Sequence, residues 1–377
     1  MKILQICSAR TIGGGEKHLV DLANGLQSRG HEVYAAIRPD SGLAAELQAL
    51  PEQNILTLPA QGPLNILNAF KLARFIRERT VDVIHGHIAH DYLLAALATK
   101  LAGRGKLVIT RHVLFQLNGL HTRMLKRVDR VIAVSQAVAG SLHDFDPARI
   151  AVIHNGIDLS RFTRVSAARD WLKDFINTDI QNSFLVGMVG HLAPIKGQEE
   201  FIRAAAIVGS QRSDVAFVIA GEDKSRGGAN RQHLQRLIKD LGLDGRVHLL
   251  GWVEDVPRLL STLDLLISPS RSEPFGLSIV EGMACEVPVI ATRSEGALEI
   301  LEDGVTGKLL PSGNPDELAT AIVSLLDDEE KRGRYVAQAL KVVREKFALE
   351  SMVSATEQVY EGLFSEGLEP GAVATGE

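Results

Sequence analysis

Twice along its length this chain alternates short apolar runs with stretches of helical period, and that rhythm restricts the fold class more than any single motif does. Residues 2–7, 31–37, 81–87, 106–110, 128–134 and 150–154 read as strands, with helices over 16–28, 65–79 and 91–102 between the earlier ones. Residues 159–183 turn polar and lose the rhythm, as an inter-domain linker does. It restarts with strands over 184–189, 215–220, 247–249, 263–268 and 288–291, followed by amphipathic helices over 313–328, 329–346 and 352–364. Strands that alternate with helices form βαβ units and parallel sheets. A length of 377 residues also exceeds one hydrophobic core. The expected architecture is therefore α/β, with Rossmann-like domains over 1–165 and 180–350 and a disordered polar tail over 366–377.

Composition narrows the class. The hydrophobic fraction is 45% and the charged fraction 23%, as in soluble globular proteins. No apolar run approaches the roughly 18 residues of a membrane span, and the opening MKILQICSAR is too short for a signal peptide. Cys7 and Cys285 are far apart and lack metal or redox spacing, which favours packing roles in a reducing cytoplasm. Residues 1–165 carry 20 Lys and Arg against 13 Asp and Glu, while the remainder carries 21 against 33. Such asymmetry suits either an anionic partner for the first half or two ordinary solvated surfaces.

The densest chemistry lies in RSEPFGLSIVEGMACEVP, residues 271–288. Pro274 pushes Glu273 out of helical geometry and onto a loop. Gly276 permits a sharp turn, and a helix beginning near Ser278 offers free N–H groups to an anion. A carboxylate for hydroxyls beside a helix start for phosphate suits a phosphorylated sugar. Ser278-x-x-Glu281 reads equally as a capping box that only starts the helix.

Gly13-Gly14-Gly15-Glu16 follows the first strand, where open α/β sheets bind ligands, and its amides could face a diphosphate. Gly190-His191-Leu192-Ala193-Pro194-Ile195-Lys196-Gly197 repeats that arrangement in the second half, with Lys196 as a cation for a leaving diphosphate and His191 as a donor to the same oxygens. His112, at the end of another strand, can hydrogen-bond a substrate and exchange a proton near neutral pH. His85, His87 and His90 offer either a metal set for a hydrolase or a lining for a cleft. Arg123, Lys126, Arg127 and Arg130 recur at helical spacing and, with Lys71, Arg74, Arg77 and Arg79, suit an anionic acceptor or lipid surface. Too few aromatics accompany them for nucleic-acid stacking.

Assembled, these segments resemble the retaining glycosyltransferases of family 4, of bacterial cell-surface glycan type. The resemblance covers residues 1 to about 365 and rests on the glycine turn, on VIHNGID at 152–158, on 190–197, and above all on the Glu273-x7-Glu281 segment with PVIAT at 288–292. It implies a GT-B fold, two facing Rossmann-like domains with a donor and acceptor cleft, the first completed by a final helix near 352–365. It implies transfer of a sugar from a nucleoside diphosphate sugar, a UDP-sugar favoured over GDP-mannose, to an acceptor hydroxyl of a lipopolysaccharide, exopolysaccharide or lipid-linked glycan. Catalytic roles then fall to His112, Lys196 and Glu273, and donor binding to Gly14, Gly15, His191, Lys196, Glu273, Phe275, Gly276, Leu277 and Glu281. No metal or other cofactor is implied by the resemblance. The family pairs its lysine with an arginine where this chain has His191. Partners would be the donor, a glycan or lipid-linked acceptor and the inner face of an anionic membrane, with no nucleic acid. A non-catalytic GT-B binding or partner protein is the main competing expectation, and the metal-dependent hydrolase on His85, His87 and His90 is a third.

Overall fold

The computed structural model describes residues 1–10, 13–59, 66–115, 119, 125, 128–143, 145–166, 169–176 and 183–365. The chain divides into two compact units, Met1–Gly156 with the segment from Leu349, and Ile157–Ala348.

The first unit holds strands β1 (Lys2–Cys7), β2 (Glu32–Ile37), β3 (Ile55–Thr57), β4 (Val83–Gly86), β5 (Lys106–Arg111), β6 (Arg130–Ala133) and β7 (Ile150–Val152). They form one parallel sheet in the order β3-β2-β1-β4-β5-β6-β7. Its helices are α1 (Gly14–Ser28), α2 (Leu43–Glu46), α3 (Ile66–Glu78), α4 (Ala89–Ala102) and α5 (Gln136–Gly140). Leu19, Leu22, Ala23 and Leu26 of α1 are buried because they recur at the helical period. Ser135 caps α5, its hydroxyl accepting the Val138 N–H at 3.1 Å.

The second unit holds β8 (Phe184–Val189), β9 (Val215–Ala220), β10 (Val247–Gly251), β11 (Leu265–Ser268), β12 (Val289–Thr292) and β13 (Lys308–Leu310). These are also all parallel, in the order β10-β9-β8-β11-β12-β13. Helices α6 (Gln198–Gln211), α7 (Ala229–Asp240), α8 (Val256–Thr262), α9 (Leu277–Ala284), α10 (Glu295–Ile300), α11 (Pro315–Asp327) and α12 (Glu329–Lys346) cover it. The core joins Phe201 and Ile202 of α6 to Val186, Phe217, Leu265 and Ile290 of the sheet and Ile322 of α11.

Helix α13 (Leu349–Ser365) closes the chain within the first unit. Its Met352, Val353, Tyr360 and Leu363 join the core of β1, β2 and α1. The Tyr360 hydroxyl lies 2.5 Å from His85 Nδ1, and Glu357 pairs with Arg29 and His31, both at 2.7 Å.

Several expectations are corrected at this level. α1 begins at Gly14, so the glycines are its cap and first turn, and the loop expected over 13–15 does not exist as such. β3 and β13 were not apparent in the sequence, since three residues are too short to show a period. The first unit ends at Gly156, while the linker and the boundary near 165 were placed later. The tail over 366–377 lies outside the described residues.

Candidate functional site

Open parallel sheets bind ligands beyond the carboxyl ends of strands where the strand order reverses. In the second unit that point is β8, flanked by β9 and β11. Beyond β8 the chain reaches His191 and a single turn over Pro194–Lys196; beyond β11 it reaches Glu273. Gly197 ends the turn at φ 77, and a Cβ there would stand 2.1 Å from the Pro269 carbonyl oxygen, so only glycine allows the two loops to meet. The Arg271 N–H donates to the Ile195 carbonyl at 2.9 Å and joins them further.

Lys196 Nζ and Glu273 Oε2 form a close ion pair, their side chains 18% and 14% exposed. The Ser270 hydroxyl adds a contact to the same carboxylate oxygen at 3.4 Å. Glu273 lies on a loop, as Pro274 requires. That loop is clamped by a residue the sequence did not single out. Glu295, the first residue of α10, accepts the Glu273 N–H at 3.1 Å and the Ser272 hydroxyl at 3.0 Å. The Gly296 N–H in turn donates to the Glu273 carbonyl at 2.8 Å. The sequence signal was present but weak: a carboxylate next to Ser294, just past the end of a strand.

Gly276, at φ 106, is the N-cap of α9, which starts at Leu277. The capping-box alternative is thereby overturned. Ser278 lies inside the helix, and Glu281 stands in the second turn, too far along to reach back to the cap at Gly276. Phe275 is buried, its ring 5.8 Å from that of Phe347. A helix start directs N–H groups and partial positive charge outward. The Lys196–Glu273 pair and that helix start belong to the same pair of loops.

In the first unit, Glu16 reaches back to the Gly13 N–H at 2.9 Å and so brings a carboxylate to the start of α1 beside Gly14 and Gly15. His112 follows β5 and packs on this turn: a Cβ on Gly15 would come within 3.3 Å of its ring. Burial pushes the His112 pKa well below the ordinary imidazole value, with His18, His85 and Arg111 nearby adding to the effect. It is therefore a neutral imidazole at physiological pH, which corrects the expected proton exchange near neutrality.

His85, His87 and His90 do not form one ligand set. His85 is engaged on both nitrogens, by Tyr360 and by Thr110 Oγ1 at 2.7 Å. His90 turns to Ser8 Oγ at 3.2 Å and to Asp91 at 3.3 Å, half exposed. The fold instead gathers His87 with His112 and with His18 of α1, another residue the sequence reading missed. Of the expected basic helix face, Arg123, Lys126 and Arg127 lie outside the described residues. Arg130 opens strand β6, so it cannot continue a helical face. Both cysteines are buried, and burial pushes each thiol up to about 12, as inert packing residues require.

Two family models match the chain: "Glycosyltransferase Family 4" over residues 12–161 and "Glycosyl transferases group 1" over 171–342. The lipopolysaccharide core biosynthesis mannosyltransferase LpcC of Rhizobium leguminosarum bv. viciae is 31% identical over 243 residues, 64% of this chain and 67% of that protein. The chain belongs to the family 4 glycosyltransferases. A second relative of this glycosyltransferase is N-acetyl-alpha-D-glucosaminyl L-malate synthase of Bacillus anthracis, 28% identical over 375 residues, 93% of this chain and 94% of that protein. Among solved structures, HepE of Anabaena in complex with UDP-glucose superposes with a TM-score of 0.84 at 28% identity, covering 97% of this chain and all of that one. The transferase has the GT-B fold, with its two parallel-sheet α/β domains. Gly14, Gly15 and His112 fall within the first matched segment, and His191, Lys196, Glu273 and Glu281 within the second. No described helix of the transferase is long and apolar enough to cross a membrane.

Proposed function

We propose that this glycosyltransferase moves a sugar from a UDP-sugar to a hydroxyl of a saccharide or lipid-linked acceptor in cell-surface glycan synthesis, with retention at the anomeric carbon. The observation that carries this reading is the meeting of Lys196 and Glu273 beside the start of α9. Donor binding would exchange their ion pair for two separate tasks. Lys196 would turn to the diphosphate and Glu273 to the sugar hydroxyls. The N–H groups at Phe275, Gly276 and Leu277 would hold phosphate, and Glu281 the ribose. HepE was solved with UDP and with UDP-glucose, and LpcC is named for lipopolysaccharide core synthesis, which supports the donor and acceptor classes. Retention and hexosyl transfer are what the family resemblance implies. His112 is proposed as a sugar-binding residue. The excess of Lys and Arg in residues 1–165 supports an anionic or membrane-borne acceptor at the cytoplasmic face.

The deciding experiment is a panel of nucleoside diphosphate sugars scored by thermal stabilisation and then by transfer. A UDP-sugar should stabilise the protein by about 2.7 kcal/mol at a hundredfold excess over Kd, and transfer to an α-configured product should follow. A panel in which no nucleotide sugar binds would overturn the proposal.

Transfer is also expected to be metal-independent, since Lys196 and the helix start carry the diphosphate charge. Full activity in EDTA is the expected result; loss of activity that added Mg²⁺ or Mn²⁺ restores would refute it.

His191 should respond to pH. Burial, then Lys196 and Lys224, push its pKa below the ordinary imidazole value, so it is neutral at pH 7. A bound diphosphate favours the charged form, so donor affinity should rise as the pH falls from 8 toward 6. His191→Arg should flatten that profile and bind donor about fivefold more tightly at pH 8, the gain of one charge-assisted bond over a neutral one. Calorimetric titration at several pH values checks both expectations.

A further inference from the structure

Behind the first turn of α1, three imidazoles from three different elements converge: His18 of α1, His87 just past β4 and His112 just past β5. One nitrogen from each lies within 4.8 Å of the others. His18 is 3% exposed and His87 1%, yet neither ring nitrogen of His18 nor Nδ1 of His87 has a hydrogen-bond partner, and neither does His112 Nε2. Buried polar atoms are rarely left this way, and four in one cluster call for a shared partner. We infer that His18, His87 and His112 bind one divalent d-block cation, Zn²⁺ being the best fit, and that the bound ion holds the transferase inactive.

The donor chemistry favours such an ion. Three imidazoles with no carboxylate among them suit Zn²⁺, Cu²⁺ or Ni²⁺ and disfavour Mg²⁺ or Ca²⁺, which take oxygen ligands. Outer partners are in place as well. The His87 Nε2–H donates to Gln5 Oε1 at 2.6 Å, which leaves the Nδ1 lone pair facing the other two rings. Gln5 is itself oriented by its donor bond to the Tyr360 hydroxyl at 3.5 Å. The unpartnered Asn155 Oδ1 offers an acceptor for the second nitrogen of His18. Zn–N bonds of about 2.0–2.1 Å in a tetrahedron would draw the three nitrogens to about 3.3 Å apart, a closure that side-chain rotation can supply. A fourth position would be left for water. The inhibitory part rests on the proposed role of His112: ligation would take its Nε2 and fix the ring toward the cation, so that atom would no longer be free for the donor sugar.

The test uses untagged full-length protein freed of metal by chelation. Titration with Zn²⁺ should show one tight site per chain, and Co²⁺ in its place should give the intense visible bands of a four-coordinate ion. His18→Gln, a residue outside the donor machinery, should weaken Zn²⁺ binding at least about tenfold while keeping a normal melting curve. Gln5→Leu should weaken it by about 10- to 100-fold through the outer shell. One equivalent of Zn²⁺ should stop transfer by the parent protein and leave His18→Gln active. If Zn²⁺ binds the parent and His18→Gln alike, or if Co²⁺ gives only the weak bands of a six-coordinate ion, the site is refuted. Tight binding without loss of transfer would refute the inhibition. Because binding is read directly, a failure to find any sugar donor would count against the proposed activity and not against this site.

Discussion

Glu273→Ala is expected to abolish sugar transfer and to leave the second unit folded. Its carboxylate would accept charge-assisted hydrogen bonds from donor hydroxyls, each worth about 1.5–3 kcal/mol. Loss of two such bonds in the transition state corresponds to a drop of about 10²–10⁴ in rate. The fold should survive because the loop is held by its backbone: the Glu273 N–H on Glu295 and the Glu273 carbonyl on Gly296 remain after truncation. Lys196 loses its partner but is 18% exposed and can turn to water. Steady-state rates and a melting curve decide the matter. Near-normal turnover in a folded Glu273→Ala protein would remove Glu273 from the site.

The second large effect should come from a residue with no side chain. Gly197→Ala places a methyl group 2.1 Å from the Pro269 carbonyl oxygen, against backbone, at a φ of 77 that alanine disfavours by about 1–2 kcal/mol. Neither contact yields by a rotamer change, so the β8 and β11 loops must separate, and Lys196 must leave Glu273. A fall of several degrees in Tm together with a large loss of transfer is expected. Gly333→Ala is the control: it lies within α12, nothing would stand within 4 Å of its Cβ, and helix propensity favours alanine by about 0.5–1 kcal/mol. Its Tm should not fall and its rate should hold. If Gly197→Ala behaves like this control, the glycine does not set the position of Lys196.

These two cases show what a sequence reveals and what it hides. Short apolar runs disclosed β1, β8 and β9 to the residue, and the helical period disclosed α12. Pro274 placed Glu273 on a loop through a local steric rule. Glu281 was ambiguous for a local reason too: Ser278 could have capped α9, and only the φ of 106 at Gly276 moves the helix start forward. Glu295 could not be found, since its partner lies 22 residues away and the contact exists only when α10 packs beside the β11 loop. The histidines mark the same limit. His85-x-His87-x-x-His90 has a spacing that attracts attention, but the side chains that converge are 25 and 69 residues apart along the chain. Arg130 was drawn into a helical pattern by its neighbours and then claimed by strand β6.

Helix α13 has a consequence for how the protein is made. The core of β1, β2 and α1 is finished only by Met352, Val353, Tyr360 and Leu363, which leave the ribosome long after the strands and helix they pack on. The segment Ile157–Ala348 is continuous and can fold as soon as it has emerged. The order of synthesis and the order of completion are therefore reversed: the half translated first must wait, with the apolar flank of α1 beside Gly25 uncovered, until α13 arrives. Premature termination just before Leu349 would release a chain with its later half competent and its earlier half unable to close, a natural substrate for chaperones and proteases.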